Sequence, residues 1–94
     1  MADKVRIAFI GIGWWSNMLA DAVKKSSRIE IAAGCSRSEE KRSSFAEKYG
    51  CMVKQEYEDI IADKNIDAVV LTTPNTLHAS QAILAAKNKK HVYV

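Results

Sequence analysis

The stretch Val5-Arg6-Ile7-Ala8-Phe9-Ile10-Gly11-Ile12-Gly13-Trp14-Trp15-Ser16 constrains the fold of this chain more than any other. An apolar run that can be buried on both faces stops at a glycine, a second glycine follows two residues on, and helical periodicity begins almost at once. A strand, a tight turn and a helix joined in this way open a βαβ unit. Gly11 lets the chain leave the strand at a backbone angle that a side chain would resist. Gly13 lets the backbone approach a diphosphate closely, and the helix from Trp14 would aim its free N–H groups and positive dipole end at the phosphates. The third position of the G-x-G-x-x-G pattern is Ser16, the next smallest choice after Ala where close packing of helix on strand is needed.

Beyond this turn, strand-like and helix-like segments alternate. Trp15, Met18, Leu19, Ala22 and Val23 recur at helical spacing and are expected to face a sheet. Ile29–Cys35 reads as a second strand. Ser38 can cap the next helix, with Glu39 and Glu40 in its first turn, Arg42, Phe45, Ala46 and Tyr49 on one face and Gly50 as its stop. Cys51-Met52-Val53 is a short strand, and Tyr57, Ile60 and Ile61 are the apolar side of a short helix. Ile66 to Thr73 reads as a buried strand ended by Pro74. A helix from Thr76 carries Leu77, Ala79, Ala82, Ile83, Leu84, Ala85 and Ala86 toward the sheet, and His91–Val94 begins a fifth strand. The alternation predicts an α/β fold, a Rossmann-type doubly wound parallel sheet of five strands in the order 3-2-1-4-5, with helices on both faces.

At 94 residues this is one domain, spanning 1–94. Charged residues make up 27% and the net charge is +3, but Lys and Arg alternate with acidic neighbours, as in Glu39-Glu40-Lys41-Arg42. That pattern is a solvated helix face rather than a basic stripe, so no nucleic-acid partner is expected. No apolar run approaches the roughly 20 residues of a membrane span. With no secretory pattern at the N-terminus, a cytoplasmic location and free thiols at Cys35 and Cys51 follow. No His, Cys and carboxylate cluster stands at metal-binding spacing.

The residues after the second strand bear on which dinucleotide is bound. An Asp or Glu there accepts the hydroxyls of the adenosine ribose, whereas a 2′-phosphate needs hydroxyl and cationic donors. Here stand Ser36, Arg37 and Ser38, with Lys41 and Arg42 a turn on, which favours NADP over NAD; NAD stays open if Arg37 is a solvated loop residue and Glu39 or Glu40 reaches the ribose. Trp14 and Trp15 could flank the cofactor, with Trp15 also a candidate for the core. Asn75, at the crevice end of the fourth strand, could touch the nicotinamide ribose or only cap its helix. His78 lies in the first turn of that helix, as a contact or a structural residue, and His91 is read as structural.

Taken together, Ile10 to Ser16, Cys35 to Lys41, Ala46-Glu47-Lys48-Tyr49-Gly50, Thr73-Pro74-Asn75-Thr76-Leu77-His78-Ala79 and Lys90-His91-Val92-Tyr93-Val94 resemble the N-terminal domain of the glucose–fructose oxidoreductase and inositol dehydrogenase (Gfo/Idh/MocA) family. The resemblance covers the whole chain and implies cofactor contacts from Thr73, Pro74, Asn75 and His78 as well as from the glycine turn. In that family the fifth strand runs into Glu-Lys-Pro, whose Lys is implicated in catalysis, and a second domain supplies substrate contacts. This chain stops at Val94, one residue short of that motif. The resemblance therefore implies the NADP(H)-binding domain of an oxidoreductase acting on a sugar, cyclitol or related polyol, with no catalytic residue of its own and no turnover alone. The small-molecule substrate belongs to a full-length parent. A stand-alone dinucleotide-binding or sensing module is the alternative, and a different Rossmann ligand such as S-adenosylmethionine a third reading. Ser16 and Ser36 depart from the Gly and Asp common in the family, and Asn88-Lys89 replaces a helix-ending Gly, with Asn88 expected to take the left-handed cap. The fifth strand is an open edge that invites self-association.

Overall fold

Strand β1 (Val5–Ile10) lies at the centre of the sheet, and from Ile7 to Ile10 it is buried on both faces. Ile7 and Phe9 point into one apolar cluster and Ala8 and Ile10 into a second, on the opposite side. This is the two-residue period of a strand covered twice. The computed structural model describes residues 5–72 and 75–93, with the side chains of all but 14, 15 and 75–78.

The other elements follow in the order α1 (Trp14–Lys24), β2 (Ile29–Cys35), α2 (Glu39–Tyr49), β3 (Met52–Lys54), α3 (Tyr57–Ile61), β4 (Ala68–Leu71), α4 (Asn75–Lys87) and β5 (His91–Tyr93). All pairings are parallel, and the sheet order is β3-β2-β1-β4-β5, as the alternation of strand and helix predicts. Residues of α1 and α2 pack in the cluster that holds Phe9 and Phe45, and residues of α3 and α4 in the one that holds Ile10 and Leu71.

Strand β2 switches its faces part-way along. Ile29 and Ile31 pack on the α1 and α2 side, but Ala33 and Cys35 pack on the other. The cause is a slip in register against β1 between Ile7 and Ala8, which leaves Ala32 as an extra residue. The slip turns Gly34 toward α2. A Cβ built there would lie 2.6 Å from Cδ2 of Phe45, so the missing side chain is what lets the ring settle on the strand. Phe45 is fully buried between Phe9, with ring centroids 6.0 Å apart, and Tyr49, at 4.7 Å.

The helix caps follow the sequence. Ser38 Oγ accepts the Lys41 N–H at 3.3 Å, and Gly50 closes α2 at φ 62°. The helix faces differ in phase from the apolar spacing. Among the described side chains of α1 the buried ones are Ser16 and Ala20, flanked by half-buried Leu19 and Val23, while Met18 is 43% exposed and Ala22 is exposed. On α4 Ala85 is buried, but Ile83 is 57% exposed and Ala79 and Ala86 are exposed. Helical spacing allows several faces in segments this rich in Ala and apolar residues, and contact with the sheet selects which of them is buried.

Strand bounds shift slightly. β3 begins one residue later than the apolar run, and β4 is shorter than the expected Ile66 to Thr73. Ile66 N–H is held in a turn by Asp63 O at 3.2 Å, ahead of the strand. The left-handed residue ending α4 is Lys89 (φ 61°), not Asn88. Lys90 N–H donates to Ala85 O and Lys89 N–H to Ala86 O, both at 3.0 Å, which sets Lys89 one place past the cap. Asn88 instead uses its side-chain amide, donating to Leu84 O at 2.9 Å.

Candidate dinucleotide site

Two turns meet at the carboxyl end of the sheet. The first leaves β1. Gly11 sits at φ 88°, a conformation that L side chains rarely adopt, so this glycine is required by the backbone itself. Its N–H donates to Cys35 O at 2.8 Å, tying the turn to the end of β2. Thr72, one residue beyond β4, holds the turn from the other side. Its hydroxyl proton is shared between Gly11 O at 2.6 Å and Ile10 O at 2.9 Å, and its N–H also donates to Ile10 O.

Gly13 caps α1 in an extended conformation, and a Cβ built on it would meet nothing within 4 Å. The space before it is open. Ser16, in the place of the third glycine, is buried and returns to Gly13 twice. Gly13 N–H donates to Ser16 Oγ at 2.7 Å, and the Ser16 hydroxyl donates to Gly13 O at 2.9 Å. The departure from glycine is thus a reciprocal cap on the turn.

The second turn leaves β2. Ser36 N–H donates to Lys54 O at 3.1 Å, and the Arg42 guanidinium donates to Ser36 O at 2.8 Å, so Ser36 is pinned through both of its backbone groups. Ser36 Oγ accepts the Ser38 N–H at 3.1 Å, which leaves its own proton to give to a ligand. Arg37 and Lys41 are exposed beside it.

A cleft of about 890 Å³ joins the two turns, lined by Gly11, Gly13, Ser36, Arg37 and Lys41 together. Its volume lies within the range of small-molecule and cofactor sites. The side chains of Glu39 and Glu40, expected as the alternative ribose contacts, are exposed on α2 and do not line it. Carboxylates enter instead from the far wall, on Glu56 and Glu58 at the start of α3.

Tyr57 braces that wall by donating its hydroxyl to Gln81 O at 2.7 Å, and burial pushes its phenol up to about 12. Burial, followed by the nearby carboxylates of Glu56, Glu58 and Asp59, pushes the Cys35 thiol up to about 11, so it lines the cleft as an inert neutral group. Cys51 is raised to about 11 by burial as well, and both cysteines are free thiols. Among the described residues no group of three or more His, Cys, Asp or Glu could hold a metal ion, and no helix is long and apolar enough to cross a membrane.

Thr72, Tyr57, Glu56 and Glu58 were not singled out from the sequence. Thr72 read as part of the strand, and only the strand's early end frees its hydroxyl to grip the neighbouring turn. Of the other expected contacts, Thr73 and Pro74, and the side chains of Trp14, Trp15, Asn75 and His78, lie outside the described residues.

A parallel sheet in this order, with a glycine turn and a capped helix at its carboxyl edge, defines a dinucleotide-binding Rossmann domain. The chain belongs to the Gfo/Idh/MocA oxidoreductase family, whose model, described as the NAD-binding Rossmann fold, matches residues 5–94. It is 35% identical over 91 residues to a 4-carboxy-2-hydroxymuconate-6-semialdehyde dehydrogenase of Sphingobium sp. SYK-6, covering 96% of this chain and 29% of that protein. It is 30% identical to an NADP-dependent scyllo-inositol 2-dehydrogenase of Bacillus subtilis, covering 94% of this chain and 27% of that one. A crystal structure from Desulfitobacterium hafniense DCB-2, designated an NADPH-dependent oxidoreductase, superposes with a TM-score of 0.93 at 35% identity, over all of this chain and 27% of its own. The chain thus spans less than a third of the length of each of these relatives.

Proposed function

We propose that this chain is the NADP(H)-binding domain of an oxidoreductase that moves hydride between nicotinamide and a sugar, cyclitol or related polyol. The observation that carries the reading is the single cleft shared by Gly11, Gly13, Ser36, Arg37 and Lys41. Open space before Gly13 fits a diphosphate lying against the backbone at the start of α1. The Ser36 hydroxyl, the Arg37 guanidinium and the Lys41 ammonium then meet the 2′-phosphate of the adenosine ribose. The bound dinucleotide supplies hydride at its nicotinamide ring. The chain's own part is to hold the phosphates at two fixed turns and so orient the rest of the cofactor.

The polyol class rests on the inositol dehydrogenase relative. Residues 1–94 form the cofactor domain, and the acid/base group and the substrate contacts are assigned outside them. By itself the chain binds cofactor without turning over substrate. The NAD reading loses Glu39 and Glu40 as its expected ribose contacts, which do not line the cleft, and would have to use Glu56 or Glu58, which do. Strand β5 bonds β4 on one side only and carries a 58% exposed Tyr93, which favours self-association along that edge.

Calorimetric titration with NADPH and NADH side by side tests the assignment. Tighter NADPH binding is expected, and Ser36→Asp should reverse the order, because a carboxylate there repels the 2′-phosphate and accepts the ribose hydroxyls. Equal binding of both cofactors by the wild-type chain, unmoved by Ser36→Asp, refutes it.

A further inference from the structure

We infer that Ser16 is a positioning residue for the cofactor diphosphate: it locks the Gly11–Gly13 turn in its binding shape before the ligand arrives. The inference rests on the cofactor reading above.

A turn built on two glycines has more accessible backbone states than any other pair would give it. A ligand that needs one of those states must meet the cost of ordering the rest. The turn here is gripped at both glycines. Gly11 N–H is held by Cys35 O at 2.8 Å, and Gly11 O by the Thr72 hydroxyl at 2.6 Å. Gly13 is held by the reciprocal pair with Ser16, at 2.7 and 2.9 Å. A glycine at position 16, the residue usual in this pattern, could make neither of these last two bonds.

Ser16 is 1% exposed, so its hydroxyl does not exchange these bonds for water. Asn17 N–H also reaches Gly13 O, at 3.0 Å, and continues the same grip into the first helical turn. Because Gly13 N–H is spent on Ser16, the contribution of Gly13 to phosphate binding is the close approach of its backbone rather than a donor. Ser16 lines the cleft at this point but acts through Gly13.

The test compares Ser16→Ala and Ser16→Gly with the wild-type chain, using two probes. NADPH carries the diphosphate; adenosine 2′-monophosphate carries only the adenosine and the 2′-phosphate. Both variants should raise the Kd for NADPH roughly tenfold, equivalent to about 1.4 kcal/mol, and leave that for adenosine 2′-monophosphate in place. Amide exchange at Gly13, followed by NMR without ligand, should be slow in the wild type and fast in both variants.

Unchanged NADPH affinity in the variants overturns the inference, as does an equal loss for both probes, which marks a purely structural role. Should Ser16→Ala fail to fold in a thermal melt, Ser16→Gly gives the same readouts with the residue the pattern ordinarily carries. A wild-type chain that binds neither probe overturns the cofactor reading, and this inference with it, without reference to any variant.

Discussion

Gly13→Ala separates binding from folding. The backbone at Gly13 is extended, with φ −171°, and an added Cβ would meet nothing within 4 Å. Two small effects on stability oppose each other. Removing a glycine lowers the entropy of the unfolded chain and favours the folded state by about 0.4–1 kcal/mol. As the residue capping α1, Ala is worse than Gly by roughly 0.5 kcal/mol. The net change should stay within about 0.5 kcal/mol, which for a domain of this size is less than about 4 °C in Tm. Binding is a different matter, because the new methyl projects into the space where the diphosphate is held against the backbone. If the methyl pushes the diphosphate off one N–H donor at the start of α1, the lost charge-assisted contact costs about 1.5–3 kcal/mol, or roughly ten- to 150-fold in Kd for NADPH. Thermal melts and calorimetric titration of the same preparation measure both. Unchanged affinity at unchanged Tm would mean that no phosphate lies over Gly13. A Tm drop of 10 °C would mean that the space before it is not open.

Gly34→Ala should do the reverse, since the added Cβ runs into the Phe45 ring; about 1–3 kcal/mol should be lost in urea unfolding, and adding Phe45→Leu should recover part of it. If Gly34→Ala proves neutral, the ring is not held against β2. The two cysteines set a pH dependence. Both folded-state values are raised to about 11 from an ordinary 9.0, so between those limits the folded chain keeps protons that the unfolded chain gives up. Their contribution is therefore intact below pH 9 and is lost as the pH rises toward 11. Urea midpoints should fall across this window and fall less in Cys51→Ala; equal slopes in the two proteins would refute the assignment.

Much of this architecture was legible in the chain because its signals are local. Gly11, Ser38 and Gly50 stand where a left-handed turn, a helix start and a helix stop require them, and each does that work in the structure. The cleft-lining set was partly legible for the same reason. Gly11, Gly13, Ser36, Arg37 and Lys41 lie just past the ends of two strands, and adjacent parallel strands bring those ends together. The places of Thr72, Tyr57 and Glu56 at the cleft were not legible, since Thr72 read only as strand and Tyr57 only as the apolar side of a helix, and each reaches the cleft through its neighbours in space.

The sequence by itself determined the alternation of strand and helix, and with right-handed crossovers that alternation leaves this sheet order as the expected one. It determined the glycine turn as well, because a positive φ is a property of one residue. Only the tertiary structure decided the register slip that leaves Ala32 over, and with it the contact between Gly34 and Phe45. It also decided that Met18 and Ile83 face outward and that Ser16 caps the turn it follows. Hydrophobic period and backbone preference are carried by neighbours along the chain, whereas register, helix phase and close packing depend on side chains that meet only when separate elements are brought together.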